Sequence, residues 1–213
     1  MSGVGRSSRV GRPLNSMEVL FSKPLSICSR PAIFLDRDGV INEKIAGGYV
    51  TQWRQFRFLP GILDALKELS CLGIPVIVVS NQAGVGKGLF PASMLESITR
   101  QFVECVQAHR GRIDAVYYCI HTSEQHCGCR KPEPGLLLRS ATRWQIDLRR
   151  SVLVGDSISD IQAAEVVGCR AILAGSPQDT IGTRSQSIHA CNAREIVSAV
   201  TQALNFTPAA VTH

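Results

Sequence analysis

Short apolar runs alternate along this chain with amphipathic segments, and this alternation constrains the fold more than any other feature. The clearest runs are residues 32–35, 75–80 and 151–156. Each run is bounded by proline, glycine or polar residues, as expected for strands of a sheet that is covered on both faces. Strands that alternate with helices predict an α/β fold built on a doubly wound parallel sheet.

The remaining elements follow from the same patterns. Two further strands are predicted over residues 115–118 and 171–174. Helices are predicted from about Pro60 to Gly73, over 91–109, from about Pro134, over 158–167 and over about 193–204, and residues 81–90 are expected to form a glycine-rich loop.

Three of the predicted strands end in a side chain that can do chemistry. The first strand ends at Asp36, with Asp38 and Gly39 close behind it, the second ends at Ser80 and the fourth at Asp156. The carboxyl ends of parallel strands share one edge of the sheet, where ligand crevices form, so these groups are expected to converge. Asp-x-Asp-Gly alone is better explained as a turn. Three matching strand ends favour a site instead.

Composition bounds the kind of protein. The 213 residues are 45% apolar and 19% charged, and no stretch is apolar enough to span a membrane, so we expect one soluble domain. Of the net charge of +6, residues 1–30 carry +4. The predicted organisation is a flexible basic N-terminal extension over 1–30, one folded domain over 31–205 and a C-terminal tail over 206–213.

The basic extension allows several interpretations. It lacks the apolar core of a secretion signal, and it fits a disordered extension, a weak targeting sequence or a start ahead of a true initiator at Met17. It also fits a non-enzymatic alternative, a zinc-binding protein that associates with nucleic acid through its tail. The near-neutral remainder of the chain argues against nucleic acid as a partner.

The predicted crevice suits phosphoryl transfer, in which the protein positions the reactants and neutralises charge. Asp36 would be the nucleophile and form an aspartyl-phosphate. Asp38 would protonate the leaving oxygen and then take a proton from the hydrolytic water. Asp36 and Asp156, together with Asp38 and a backbone carbonyl, offer the oxygen ligands that suit Mg²⁺.

Further residues would hold the phosphate and the substrate. The predicted contacts are Arg37, Ser80, Asn81, Gln82, Arg130 and Lys131. Asp160, one helical turn beyond Asp156, would hold Lys131 in place or order metal-bound water. Taken singly, a strand-end serine, a solvated lysine and a helix-start aspartate are the commoner interpretations of Ser80, Lys131 and Asp160.

A second cluster indicates zinc. Cys119, His121, Cys127 and Cys129 form the Cys₃His ligand set of a closed structural site, with His126 as a weaker competitor for His121. The loop they fasten leads directly into Arg130, so the expected role of the zinc is mechanical. Eight cysteines without a secretion signal indicate reduced thiols and a cytoplasmic location.

As a set, these motifs resemble those of the haloacid dehalogenase (HAD) superfamily of phosphohydrolases. The matching segments are residues 34–39, 80–82, 130–132 and 155–160, within a resemblance that spans about 31–175. The resemblance implies a capless, Rossmann-like core with a zinc-stapled loop, Mg²⁺ dependence and the roles given above. It also implies that Arg130 contacts the substrate. A phosphotransferase or mutase on this scaffold is disfavoured, because no inserted cap could exclude water.

The branch that the chain most resembles acts on small phosphorylated metabolites. Residues 42–50 and 84–90 are similar to those of heptose-bisphosphate phosphatases, and they favour D-glycero-D-manno-heptose 1,7-bisphosphate, attacked at the 7-phosphate. The short stretch between His121 and Cys127 is similar instead to histidinol-phosphate phosphatases, which are the alternative. Lys87 would reach a second phosphate or be solvated. A monomer without nucleic-acid or membrane partners is expected.

Overall fold

The computed structural model describes residues 16–22, 29–175 and 188–205. The strands in these ranges are β1 (Met17–Leu20), β2 (Ile33–Leu35), β3 (Val76–Asn81), β4 (Ala115–Cys119), β5 (Val152–Gly155), β6 (Arg170–Ala174) and β7 (Ile188–Ala190). The helices are α1 (Ile62–Ser70), α2 (Ala83–Gly86), α3 (Ala92–Ala108), α4 (Gly135–Trp144), α5 (Ile158–Val166) and α6 (Ala193–Asn205). The seven strands form one sheet in the order β1-β4-β3-β2-β5-β6-β7.

Side chains alternate between the two faces of the sheet along each strand, and both faces are buried. In β2, Ile33 and Leu35 belong to one apolar cluster and Phe34 to the other. The first cluster draws on α1, α3 and α6, and the second on α4 and α5. Helices on both sides explain why the central strands are continuously apolar, and they confirm the predicted doubly wound α/β fold.

The chain reverses its direction across the sheet beside β2. Successive strands run from β2 to β3 and β4 on one side, whereas β5, β6 and β7 extend on the other. Leu35 lies opposite Val78 of β3 and Val154 of β5, and both pairings are parallel. The residues that follow these three positions therefore reach the carboxyl edge together, at the switch point where α/β proteins bind ligands.

The N-terminal region differs from its prediction. Residues 17–20 belong to the predicted flexible extension but form β1, which pairs antiparallel with β4, Met17 lying opposite Tyr118. An ion pair of 3.0 Å between Glu18 and Arg139 of α4 joins this edge strand to the layer beneath it. The sheet thus begins before residue 31. Residues 1–15, 23–28 and 206–213, with most of the extension and the C-terminal tail, lie outside the described residues.

Two smaller differences concern short elements. The predicted glycine-rich loop over 81–90 contains the single-turn helix α2, and β3 continues to Asn81. The three-residue strand β7 was not predicted, because three residues are too few to show an alternating pattern. Of the described residues, no helix is both long enough and apolar enough to span a membrane.

Candidate active site

Three carboxylates meet at the carboxyl edge of the sheet. Asp36 follows β2, Asp156 follows β5, and Asp160 lies in the first turn of α5. One oxygen from each lies within 4.8 Å of the others. The predicted convergence of Asp36 and Asp156 is confirmed, although 120 residues separate them in the chain. Oxygens this close together are suited to a shared divalent cation.

Gly39 makes this approach possible. Its φ of +86° lies in the left-handed region that favours glycine. A Cβ added at this position would collide with the carboxylate of Asp156. The glycine of the Asp-x-Asp-Gly motif therefore turns the chain and also makes room for a ligand group from β5.

Lys131 is the buried cation of the site. Its Nζ donates to Asp36 Oδ1 at 2.8 Å, to the carbonyl of Val79 at 2.9 Å and to Asp160 Oδ1. Burial alone would lower the pKa of Lys131, but Asp160 and Asp36 outweigh it and raise the pKa above its usual range. Lys131 is therefore a fixed positive charge in contact with Asp36.

Asp160 accepts hydrogen bonds from side chains of the protein itself, including Lys131. While Oδ1 accepts from Lys131, Oδ2 accepts from the hydroxyl of Ser157 at 2.6 Å, which caps α5. Both oxygens are thus engaged, so Asp36 and Asp156 are the better candidates for metal ligands. Burial, the largest effect, raises the pKa of Asp36 to about 6 against the opposing effect of Lys131, and burial also raises that of Asp156.

Asp38 lies in a cage of three donor side chains. Arg37 Nη2 donates to both carboxylate oxygens at 2.9 Å, Asn42 Nδ2 donates at 2.8 Å and Gln82 Nε2 at 2.6 Å. Burial favours the protonated form, but these donors outweigh it and hold the pKa of Asp38 below its usual range. The carboxylate is fixed in orientation and lines the crevice beside Asp36.

Two predicted substrate contacts have different surroundings. The side chain of Arg37 is 0% exposed, pairs with Asp38 and lies 5.8 Å from the ring centre of Tyr118. Gln82 is also buried; its backbone N–H donates to the carbonyl of Cys119 at 2.7 Å. Neither residue lines the crevice. Both side chains donate to Asp38 and lie outside the crevice lining, so substrate contact by Arg37 and Gln82 stays a prediction.

The neighbouring predicted residues do reach the crevice. Ser80 lines it beside Asp36, with its hydroxyl 3.4 Å from the side-chain nitrogen of Gln82. The side chain of Asn81 forms a reciprocal pair with the backbone of Lys131, donating at 3.0 Å and accepting at 3.1 Å. Asn81 therefore fixes the segment that carries Lys131, and its side-chain amide is committed to that contact.

Arg130 occupies the rim. It lines the crevice and also a second cavity under the cysteine loop. Its Nη1 atom is buried and has no hydrogen-bond partner among the described residues. A buried guanidinium nitrogen without a partner is costly unless a ligand accepts from it, which agrees with the predicted substrate contact.

The four predicted zinc ligands form one cluster. The Sγ atoms of Cys119, Cys127 and Cys129 are 3.5 Å apart, and Nδ1 of His121 lies 3.6 Å from Cys119 Sγ and 3.3 Å from Cys129 Sγ. Ligands of a tetrahedral zinc ion lie roughly 3.3–3.8 Å apart. His126 is outside the cluster. The cluster therefore fits a closed four-ligand metal site.

This cluster connects the sheet to the catalytic segment. Cys119 is the last residue of β4, and Cys129 directly precedes Arg130 and Lys131. A hydrogen bond from Cys129 is the largest of several effects that lower the pKa of the Cys119 thiol to about 5. The same hydrogen bond raises the pKa of Cys129, so the thiolate, which is the form that binds a metal, is favoured at Cys119.

The loop over residues 44–50 forms the outer wall of a crevice of about 260 Å³. Lys44, Ile45, Gly48, Tyr49 and Val50 line it from this loop. Lys44 and Asn42 were not predicted as site residues. Both belong to the segment 42–50 that resembles heptose-bisphosphate phosphatases, but the resemblance gave neither residue a role, and their hydrogen bonds to Asp156 and Asp38 cannot be read from spacing.

Comparison with known proteins places these features in a family. The Hydrolase_like model, described as HAD-hydrolase-like, matches residues 128–202. The D-glycero-beta-D-manno-heptose-1,7-bisphosphate 7-phosphatase of Escherichia coli K12 is 40% identical over 143 residues, 64% of this chain and 74% of that protein. The D-glycero-alpha-D-manno-heptose-1,7-bisphosphate 7-phosphatase of Mycobacterium bovis is 43% identical over 147 residues, 68% and 77% of the two chains.

A solved structure supports the same relationship. The D,D-heptose 1,7-bisphosphate phosphatase of B. bronchiseptica, complexed with magnesium and phosphate, superposes with a TM-score of 0.75 and is 31% identical. The match covers 81% of this chain and 98% of that one. Together with the strand-end carboxylates, these matches define a phosphatase of the HAD superfamily. Within it, the chain belongs to the family of the heptose-1,7-bisphosphate 7-phosphatases.

Proposed function

We propose that this protein hydrolyses the 7-phosphate of D-glycero-D-manno-heptose 1,7-bisphosphate through a phosphorylated Asp36. The observation that carries the proposal is the contact between Asp36 and Lys131, a carboxylate and a fixed cation that face an open crevice. A nucleophile that attacks an anionic phosphate needs such a neighbour, because like charges otherwise keep the reactants apart. Relatives at about 40% identity support the substrate.

Asp36 and Asp156 would hold Mg²⁺, with the backbone around Asp38 completing the protein ligands. When bound, the cation would neutralise charge between the carboxylate and the phosphoryl group. The oxygens of Asp36 and Asp156 fit a magnesium ion because they lie within 4.8 Å of each other. Asp160 is the weaker candidate, because Lys131 and Ser157 already donate to its two oxygens. The magnesium and phosphate held by the B. bronchiseptica phosphatase support the same choice.

Asp36 and Asp38 would divide the chemistry between them. In the first step, an oxygen of Asp36 bonds to phosphorus while the bond between phosphorus and the sugar oxygen breaks. Asp38 gives its proton to the departing sugar oxygen. In the second, Asp38 takes a proton from water, which attacks phosphorus and releases inorganic phosphate and the free Asp36 carboxylate. The three donors around Asp38 favour its ionised form, the form needed in the second step.

Ser80, the backbone N–H of Asn81 and Lys131 would bind the transferred phosphoryl group, and Arg130 would bind the distal part of the substrate. The orphaned Nη1 of Arg130 supports that role, since a second phosphate is a strong acceptor. Cys119, His121, Cys127 and Cys129 would hold a structural zinc ion. With four protein ligands, that ion would leave no position for substrate, so its contribution would be to fix the segment that carries Arg130.

The test is a comparison of phosphorylated substrates with the metal-loaded protein. We expect heptose 1,7-bisphosphate to be turned over with the highest kcat/KM, and the two anomers should be assayed separately because relatives of both names match. Histidinol phosphate is the second candidate, favoured by the short stretch between His121 and Cys127. A higher kcat/KM for histidinol phosphate would replace the substrate and leave the phosphatase chemistry in place.

The cellular setting is part of the proposal. We propose a cytoplasmic monomer with reduced thiols. No disulfide joins the seven described cysteines. Light scattering of the purified protein tests the oligomeric state, and thiol titration under native and denaturing conditions tests the redox state.

A further inference from the structure

Lys44 makes an ion pair that the proposed chemistry does not use. Its Nζ lies 2.6 Å from Oδ2 of Asp156, the carboxylate proposed as a metal ligand. The lysine side chain is 57% exposed and the aspartate side chain 14% exposed. Holding a lysine side chain from an open loop against a largely buried carboxylate costs conformational entropy. The ammonium group of Lys44 is therefore more narrowly positioned than that of a solvated surface lysine.

The contacted oxygen belongs to the centre of the site. Oδ2 of Asp156 faces Gly39, in the turn that follows Asp36 and Asp38. Asp156 also lies within 4.8 Å of the nearest carboxylate oxygens of Asp36 and Asp160. The ammonium group therefore sits at the edge of the carboxylate cluster, where positive charge is most favourable.

Among the other cations of the crevice, none is placed in this way. Lys131 is buried and bound to Asp36, Asp160 and a backbone carbonyl, so it stays where it is. Arg130 lies on the rim. Only Lys44 combines a long solvent-accessible side chain with a single carboxylate partner at the cluster, as far as the described residues extend.

We infer that Lys44 and the divalent cation compete for Asp156, and that metal binding releases the Lys44 ammonium to bind an anionic group of the substrate. The inference rests on the proposed function, since it takes Asp156 as a metal ligand. Mg²⁺ binds oxygen at about 2.1 Å and demands near-octahedral geometry. An ammonium group hydrogen-bonded to the same carboxylate both crowds that geometry and repels the cation.

Once released, the side chain of Lys44 would remain in the substrate crevice. Lys44 belongs to the loop that lines the outer wall of the crevice together with Tyr49. A sugar bisphosphate brings up to four negative charges into this space, and Lys131 and the metal balance those near Asp36. Lys44 then adds a positive charge on the side of the crevice formed by its own loop. Metal binding would in this way prepare the substrate site.

The experiment measures the lysine and the metal separately. The zinc-replete, magnesium-free protein is acetylated with a limiting amine reagent, with and without Mg²⁺ alone, and the modification of each lysine is followed by peptide mass spectrometry. Mg²⁺ affinity is measured by calorimetry for Lys44→Met, for Lys44→Arg, which keeps the charge, and for Lys67→Met, an exposed lysine on α1, as the matched control.

We expect Mg²⁺ to increase acetylation of Lys44 at least threefold without changing that of Lys67. Lys44→Met should bind Mg²⁺ about twofold to fivefold more tightly than the wild type, a range that reflects one partly exposed ion pair. Its KM for the bisphosphate should rise. Tighter binding of Mg²⁺ together with a higher KM indicates competition. A purely structural role would instead weaken the binding of both Mg²⁺ and the substrate.

Each contrary result has a distinct meaning. If Lys44→Met binds Mg²⁺ as the wild type does, or more weakly, or if acetylation does not respond to Mg²⁺, the competition is refuted and the proposed metal site stands. If Asp156→Asn binds Mg²⁺ as tightly as the wild type, the metal ligand assignment fails, and the inference fails with it.

Discussion

Lys131 connects two clusters of ligand-bearing side chains, since it bonds to Asp36 and Asp160 and follows Cys129 by two residues, and the clusters are built in opposite ways. The thiol cluster takes all its ligands from one stretch, Cys119 to Cys129, at the end of a single strand. The carboxylate cluster joins residues after β2 and β5 and in α5. The first is closed by its four ligands, whereas the second faces a crevice.

This difference explains what each cluster can do. A closed set of soft ligands holds a metal without offering it to substrate, so it can only shape the chain around it. An open set of carboxylates beside a buried lysine can bind a hard cation and still react. The local cluster is therefore suited to support, and the cluster assembled by the fold is suited to chemistry.

The largest expected effect separates the two clusters most sharply. Asp36→Asn should lower kcat by about 10⁴-fold or more, because an amide cannot form the acyl-phosphate intermediate. Zinc content, measured by atomic emission, should stay the same as in the wild type. Turnover within tenfold of the wild type would show that Asp36 is not the nucleophile.

Arg37 tests the support of the open cluster. Because Arg37 gives Asp38 its only charged partner in the cage, Arg37→Met should lower kcat by roughly 10²-fold and leave Asp38 with a raised pKa. The acidic limb of the kcat profile should move to higher pH, because the second step needs ionised Asp38 and a larger fraction of Asp38 would be protonated. Arg37→Lys keeps the charge but not the contact with both carboxylate oxygens, so its kcat should lie between those of the wild type and Arg37→Met. An unchanged pH profile in both variants would exclude a role of Arg37 in setting the pKa of Asp38.

The closed cluster should respond in stability more than in chemistry. Cys127→Ser should lose the zinc and at least about 3 kcal/mol of stability, a fall of roughly 6–12 °C in Tm for a chain of this size. Activity should drop only about tenfold, through the segment that carries Arg130. The exposed Cys71 offers the control, since Cys71→Ser should change neither. Equal Tm values for both variants would remove the supporting role.

The smallest effect concerns pH. The pKa of Asp36 is raised to about 6 and that of Asp156 is raised as well, so in the folded protein protons compete with Mg²⁺ for both carboxylates. Affinity for Mg²⁺ should therefore rise as the pH increases from 5 to 7, by at most about tenfold per unit for each proton displaced, and level off above. Calorimetry across this range tests it, and an affinity that falls as the pH increases would reverse the sign.

The two clusters also differ in how they can be predicted from the sequence. Cys119 to Cys129 can be recognised from spacing alone, because all the ligands are close in the chain. The meeting of Asp36 and Asp156 follows from the rule that parallel strands share an edge, and the fold confirms it.

What escaped prediction depends on side-chain direction. Arg37 stands between two site acids in the motif, yet its side chain turns into the core towards Tyr118, and no pattern of residues specifies that choice. Lys44 and Asn42 reach the site through bonds across a loop. Strand β1 was hidden in a basic, glycine-rich region, where its pairing with β4 rather than its local pattern decides the structure.

The central claim, that Asp36 carries the phosphoryl group, can be tested by trapping it. The protein is mixed with heptose 1,7-bisphosphate and Mg²⁺, quenched during turnover and treated with borohydride, which reduces an aspartyl-phosphate to homoserine. Peptide mass spectrometry should find homoserine at position 36, only with substrate and not in Asp36→Asn. Steady turnover with homoserine at another aspartate, or at none, would contradict the account.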